Sequence, residues 1–159
     1  MRSFPRRLSA AFTLSALMLA PGIAQAGSSQ VPYGDVNGWS VFTLLDGTTF
    51  TGCAASHQQM DGEAGIARSA DGNWLLLFEM PTPQGVVPAQ VAIDGMRWNL
   101  SVTGEGNRVS FAPSSQMMDA VRAGSSLTVS VQGMSFNSTL TGSSAAMSMV
   151  QTCVRRRGG

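Results

Sequence analysis

Apolar and polar residues alternate along several short segments of the chain. The alternation is clearest at residues 96–102, 127–131 and 134–140, where apolar side chains recur at about every second position and polar ones lie between them. Successive side chains of a strand point to opposite faces, so this period of two predicts strands that bury one face against a core.

Turn sequences separate the predicted strands. Asp46-Gly47 and Asp94-Gly95 each lie between two such segments, and Ala70-Asp71-Gly72-Asn73 lies between two more. These turns connect residues 39–45 with 48–55, 63–69 with 74–80, and 87–93 with 96–102. Asp-Gly between alternating segments is a strong hairpin signal, so the pattern predicts three consecutive hairpins. Residues 74–78 are apolar at every position, which predicts a strand that is buried on both faces or paired centrally, at the centre of the fold.

Two short helices are predicted in the second half. Ser114 or Ser115 can cap a helix that runs to Ala123, with Gly124 as a left-handed stop. Ser143 or Ser144 can cap the second helix. There Ala146, Met149, Val150 and Cys153 fall on one face, so Cys153 is expected to point inward.

The resulting fold class is mainly β: an antiparallel β-sandwich of about eight or nine short strands with two short helices. Residues 27–37 show no apolar period and are interpreted as a flexible lead-in. Residues 38–154 form the single β-rich domain, and residues 155–159 form a basic tail.

The first 26 residues have the three parts of a secretory signal. Arg2, Arg6 and Arg7 provide the basic region, residues 8–20 the apolar region, and Ala24-Gln25-Ala26 the cleavage site. We expect cleavage after Ala26 and a periplasmic or secreted product, by the ordinary export route rather than the twin-arginine route. The apolar region is shorter than the roughly 20 residues that span a bilayer, so no membrane span is expected.

The expected export determines how the two cysteines are interpreted. The chain contains 2 Cys, Cys53 and Cys153. A single pair in an exported domain is far more often a disulfide than a redox or metal-binding pair. We therefore expect a Cys53–Cys153 bridge that ties the last helix to an early strand.

Charge excludes one class of partner. The chain has no Lys, and three of its Arg lie in the signal, so the remainder carries more acidic than basic residues. Nucleic-acid binding needs a basic face and is not expected. Arg155, Arg156 and Arg157 are interpreted as a solvated tail at a helix C-terminus, with binding to anionic lipid or to an acidic partner as the alternative.

Catalytic candidates are few. The one histidine, His57, lies in the polar segment 56–63 and is interpreted as a solvated loop residue, and no Gly-x-Ser-x-Gly motif occurs. We therefore expect no catalytic residues. The alternative is a hydrolase that uses His57 with Asp61 or Glu63. Glu79, at the end of the apolar strand, is interpreted as a carboxylate that reaches water.

Methionines raise a second alternative, a copper carrier. Thioether sulfur suits Cu(I), and Met117-Met118 and Met147-Ser148-Met149 offer such donors together with His57. No clustered Met-x-x-Met motif is present, and Met96 and Met134 alternate with core positions. We interpret these side chains as core filler and expect neither a metal site nor a cofactor.

The order of segments from Trp74 to Cys153 carries a resemblance. An apolar strand precedes the Ile93-Asp94 turn, a helix at 117–122, the Ala-Gly-Ser-Ser-Leu-Thr-Val segment at 123–129, and the Phe-Asn-Ser-Thr-Leu-Thr-Gly-Ser-Ser-Ala-Ala-Met segment at 136–147. This order resembles the invasion-associated locus B family of secreted α-proteobacterial proteins. That family tends to carry more cysteines.

The resemblance implies a periplasmic β-rich domain with envelope or host-associated roles, and no active site to carry over. We therefore expect a non-catalytic domain that binds a protein or envelope component.

Overall fold

The computed structural model describes residues 27–159, so the predicted signal sequence at 1–26 lies outside the described residues. Ten strands form one antiparallel sheet, accompanied by two helices. The strands are β1 Ser28–Val36, β2 Trp39–Asp46, β3 Thr49–Gln59, β4 Gly62–Ser69, β5 Trp74–Glu79, β6 Gly85–Ile93, β7 Met96–Gly104, β8 Arg108–Phe111, β9 Ser126–Val131 and β10 Met134–Thr139. The helices are α1 Ser115–Ala123 and α2 Ser143–Arg156.

The sheet folds over so that its two halves face each other. The strand order is β1-β2-β3-β4-β5-β8-β7-β6-β9-β10, which places β5 and β10 five strands apart. Nevertheless the rings of Phe78 on β5 and Phe136 on β10 lie 5.4 Å apart. Both side chains are buried in the single core, where Phe78 also contacts Phe111 of β8. The mainly β sandwich class is confirmed, with ten strands instead of eight or nine.

The three predicted hairpins are confirmed as β2–β3, β4–β5 and β6–β7, all antiparallel. The alternating segments near the C-terminus form β9 and β10, which also pair as a hairpin. The sequence does not predict β8, which has only four residues and pairs with β5 on one side and β7 on the other.

Residues 27–37 are not a flexible lead-in: nearly all of this segment is β1, which pairs with β2. Asn37 and Gly38 form the connecting turn with φ values of 48° and 84°. Positive φ at both positions is what a two-residue hairpin turn requires, and Asn-Gly favours it. Pro32 and a bulge between Pro32 and Gly34 interrupt the alternation. Proline is tolerated because β1 is an edge strand.

The opposite edge of the sheet, β10, is covered by side chains from the β3–β4 hairpin. The Asp61 carboxylate accepts hydrogen bonds from the Asn137 backbone N–H at 3.1 Å and from its side-chain amide at 3.3 Å. The Gln59 side-chain oxygen accepts from the Thr139 N–H at 3.4 Å. These two side chains therefore occupy donors that an unprotected edge would offer to another chain.

Helix α1 begins as expected and ends differently. The Ser114 hydroxyl accepts a hydrogen bond from the Met117 N–H at 3.2 Å, which confirms Ser114 as the N-cap. The prediction of a left-handed Gly124 is wrong, because its φ is −82°. A Cβ at this position would lie 2.6 Å from the Ala120 oxygen and 2.8 Å from Ile93 Cγ2. Gly124 therefore allows a close approach of the helix end to β6.

Helix α2 is not capped by a serine. Its N-cap is Gly142 at φ 82°, without a side-chain hydrogen bond. Ser143 is buried and donates instead to the Val121 carbonyl of α1 at 2.7 Å, which joins the two helices. The buried face contains Ala146, Met147, Val150 and Cys153, so Met147 takes the place expected for the partly buried Met149.

The predicted disulfide is confirmed. Cys53 on β3 and Cys153 on α2 are bonded, with their Cα atoms 6.2 Å apart and both residues fully buried. Helix α2 packs against β2, β3 and β4, and the bridge fixes it there. Within residues 27–159, neither helix has the length and apolar character needed to cross a membrane.

Candidate functional site

A groove of about 260 Å³ lies on the outer face of β2 to β5, the face opposite the core. Side chains alternate along each strand, so Cys53, Ala55 and Ile66 point to the core while Ala54, Gly65 and Ala67 point into the groove. No helix covers this outer face among the described residues, because α2 packs on the core side through Cys53.

The strand register explains why this surface is concave. Ala54 lies opposite Ala67, and Ser56 lies opposite Gly65, so small residues fill the two central strands. Larger side chains stand on either side, with Phe42 and Leu44 on β2 and Leu75 and Leu77 on β5. Small residues between two rows of large ones leave a furrow along the strands. Most of its lining is therefore apolar.

One end of the groove is charged. Glu63, Glu79 and Arg108 line it, and Glu79 lies opposite Arg108 in the β5–β8 register. The Glu79 carboxylate accepts a hydrogen bond from the Glu63 backbone N–H at 3.1 Å. Both glutamates are exposed, as expected for Glu79. In the part of the chain that the structure describes, the one ion pair lies elsewhere, between Asp119 and Arg122.

The apolar strand β5 is paired centrally, with β4 on one side and β8 on the other, as one of the two alternatives predicts, but the alternative of burial on both faces is wrong for one face. Leu76 and Phe78 are buried in the core, whereas Leu75 is 36% exposed and Leu77 is half-buried in the groove. The run of five apolar residues correctly indicates that neither face is fully solvated. The outward-facing residues of this run form a wall of the groove, and no other part of residues 27–159 packs over them.

His57 is a strand residue rather than a solvated loop residue. It lies on β3 opposite Ala64, because the turn after β3 contains only Met60 and Asp61. Its ring is half-buried, 5.2 Å from the Trp39 ring, and its Nδ1 contacts the Gln59 side-chain nitrogen.

The structure separates His57 from the carboxylates considered as its partners. His57 is on the core side of β3, whereas Glu63 is on the outer side of β4. Asp61 lies in the turn and accepts hydrogen bonds from Asn137. The hydrogen-bonding partner that the structure gives the imidazole is Gln59. Among residues 27–159 the structure therefore gives the imidazole no carboxylate partner.

The methionines considered as copper ligands are distributed between core and surface. Met117, Met118 and Met147 are buried in the core, as expected for filler, whereas Met60 is fully exposed at a hairpin tip. Met96 and Met134, expected to be in the core, are 48% and 38% exposed because they begin strands beside turns. Within the described residues no three His, Cys, Asp or Glu side chains cluster as a metal site.

The basic tail continues α2 and then folds back. Arg155 and Arg156 belong to the last helical turn, and Arg157 ends the helix at φ 52°. The Arg157 guanidinium lies 5.6 Å from the centre of the Phe50 ring on β3, and Gly158 packs against Thr43 on β2. All three arginines are exposed. They lie at the C-terminal end of the helix, where positive charge is favourable.

Comparison with known proteins identifies a solved structure of similar architecture. No protein-family model and no curated protein sequence matches the chain. A solved structure does match: the crystal structure of invasion associated protein B from Bartonella henselae, with a TM-score of 0.59 and 16% sequence identity. The match covers 77% of this chain and 97% of that one.

The chain has the fold of invasion associated protein B. The resemblance noted from Trp74 onward is thus confirmed for the architecture, and the covered 77% of the chain extends it beyond that segment. At 16% identity, the likeness to invasion associated protein B concerns the fold, and the groove of this chain has to be interpreted from its own residues.

Proposed function

We propose that this domain acts by binding rather than by catalysis, and that the groove on β2 to β5 receives an apolar part of a protein or envelope component. The observation that carries the proposal is the outer face itself. It combines a floor of small residues, two apolar walls and a charged end, and no other element of the described chain covers it. Concave apolar surfaces with a few polar groups are the usual form of binding sites.

We further propose that the domain works in the periplasm or outside the cell, after cleavage at Ala26. The buried Cys53–Cys153 disulfide supports an oxidising compartment. A host-associated role, which the name of invasion associated protein B suggests for that protein, belongs to the same proposal for this one.

Filling the groove tests the proposal. Gly65 lies on its floor, and an added Cβ would make ordinary contacts of 3.5 Å and 3.6 Å with Leu77. Gly65→Val therefore occupies the groove without a backbone clash, and valine suits a strand better than glycine does. In a pull-down from envelope extract, we expect the wild-type chain to retain a partner that Gly65→Val loses.

Ser101→Val is the matched control. Ser101 is exposed on β7, in the other half of the sheet, and the substitution adds a valine side chain outside the groove. We expect it to retain the partner, with circular dichroism confirming that both variants are folded. Equal retention of the partner by Gly65→Val and the wild type would contradict the groove as the binding site.

The catalytic alternative has its own test. If purified protein hydrolyses any substrate and His57→Ala abolishes that activity in a folded protein, the binding proposal is wrong. The chain contains one histidine and no lysine, so no second residue of these types is available as a base.

A further inference from the structure

The charged groups of the groove all lie at one end. Glu63 and Glu79 come from neighbouring strands, and the hydrogen bond from the Glu63 N–H to Glu79 Oε2 at 3.1 Å holds the two residues together. At the opposite end the groove is lined by Gln30 and Leu44, which are uncharged. A ligand that fills the groove therefore meets charge at one end of an otherwise mainly apolar channel.

The balance of charge at that end is negative. Two carboxylates face one guanidinium, Arg108, and none of the three forms an ion pair within the described residues. The Glu79 carboxylate accepts from the Glu63 N–H through one oxygen, and the other has no hydrogen-bond partner among residues 27–159. A positively charged group placed there is attracted by both glutamates and repelled by Arg108, whereas an anion is attracted by Arg108 and repelled by both glutamates.

We infer that the groove takes a cationic amphiphile, a single apolar chain that ends in an ammonium group. This inference rests on the proposed binding function and names the ligand class of the same site. The volume of about 260 Å³ suits one such chain, since it lies just below the roughly 300 Å³ at which pockets for larger small molecules begin. The chain lies between Phe42 and Leu77, and the ammonium group lies at Glu63 and Glu79.

The test compares three ligands that share one alkyl chain. Decylammonium, decanol and decanoate are titrated calorimetrically into the protein below the concentrations at which they aggregate. Exposed ion pairs contribute only modestly, so we expect decylammonium to bind about fivefold more tightly than decanol. Decanoate is expected to bind no more tightly than decanol. The preference should shrink as salt rises.

The double variant Glu63→Gln/Glu79→Gln removes the charge and keeps an acceptor for the Glu63 N–H. We expect it to lose the preference for decylammonium over decanol, because Arg108 is then the charge that remains at this end. Asp46→Asn/Asp119→Asn is the matched control, because it also removes two exposed carboxylates, one from the end of β2 and one from α1. The control should keep the fivefold preference, and Gly65→Val should weaken all three ligands.

The outcomes separate this inference from the proposed function. Equal binding of the three ligands, or a preference for decanoate, overturns the cationic assignment and leaves the groove as a binding site. Capture of an envelope partner that Gly65→Val abolishes, without binding of any decyl compound, overturns the amphiphile and keeps the proposed function. Decyl binding that Gly65→Val does not affect places these ligands outside the groove and overturns the inference, whereas the proposed function is overturned only if Gly65→Val also retains the partner.

Discussion

Removal of the Cys53–Cys153 disulfide should reduce stability by several kcal/mol. The bridge joins residues 100 positions apart, so it closes a loop that contains most of the described chain in the unfolded state. Chain-entropy arguments give about 4.7 kcal/mol for a loop of this length. Measured values for disulfides are typically about 2–4 kcal/mol, and this is the range expected for Cys53→Ala/Cys153→Ala.

Urea denaturation followed by circular dichroism measures the effect. The unfolded double variant is less compact than the bridged chain, so the slope of the unfolding free energy against urea should increase while the midpoint falls. A loss of about 3 kcal/mol corresponds to a thermal midpoint about 10 °C lower for a domain of this size. Thiol titration of the denatured, non-reduced wild-type protein should find no free thiol.

Two results would refute this reasoning. A loss below about 1 kcal/mol would mean that the bridge hardly restrains the unfolded chain, contrary to the entropy argument. A large loss with an unchanged urea slope would place the effect in the folded state, where both sulfur atoms are fully buried. Reduction of the wild-type bridge, which keeps both sulfur atoms, distinguishes lost restraint from lost packing.

Three further predictions follow from individual contacts. The pKa of Asp94 is lowered, first by the Ser125 N–H and then by the Ser126 hydroxyl and N–H. A lowered folded-state pKa stabilises the fold at pH values above the ordinary aspartate pKa of about 3.9, and this contribution is lost as pH falls through the folded-state pKa. Below about pH 4, the unfolding free energy of Asp94→Asn should therefore depend less on pH than that of the wild type. Urea titrations from pH 5 down to pH 2.5 measure this; equal slopes in both proteins would contradict it. Gly124→Ala should cost about 1–3 kcal/mol by thermal denaturation, because its Cβ would lie 2.8 Å from Ile93 Cγ2, and an unchanged midpoint would show that the helix end can shift. A solvated His57, as interpreted from the sequence, predicts that His57→Ala leaves folding nearly unchanged. In the structure the ring packs 5.2 Å from that of Trp39, so we expect His57→Ala to lower the unfolding free energy by about 0.5–1.5 kcal/mol. An unchanged unfolding free energy in urea denaturation would mean that this contact does not stabilise the fold.

Local signals were sufficient for most of the strands. Asp46-Gly47 and Asp94-Gly95 specify turns through their own backbone preferences, and the strands beside them alternate clearly. The first strand was missed because Pro32 and the bulge after it disturb the alternation, although Asn37-Gly38 carries a turn signal of the same kind. The polar segment around His57 favours a loop by composition, yet its side chains contact residues distant in sequence, such as Trp39 and Thr139.

Local sequence signals do not predict the groove. Its concave shape depends on which residues lie opposite each other, as Ala54 does to Ala67 and Ser56 to Gly65. Strand register is set by the whole sheet, so a small residue in one strand does not reveal the size of its neighbours. Residues 74–78 indicate two apolar faces, but not that the core covers only the face of Leu76 and Phe78.

The position of α2 has a consequence for the order of folding. It is the last helix of the chain, yet it packs on β2, β3 and β4, which are synthesised early. Until α2 arrives, these strands expose apolar side chains on both faces, and Cys53 has no partner thiol. Contacts so distant in sequence slow folding and prolong the exposure of such surfaces. The early half of the sheet therefore needs protection from aggregation until the C-terminal residues have been made, whereas in the finished domain α2 covers the core-side face of these strands.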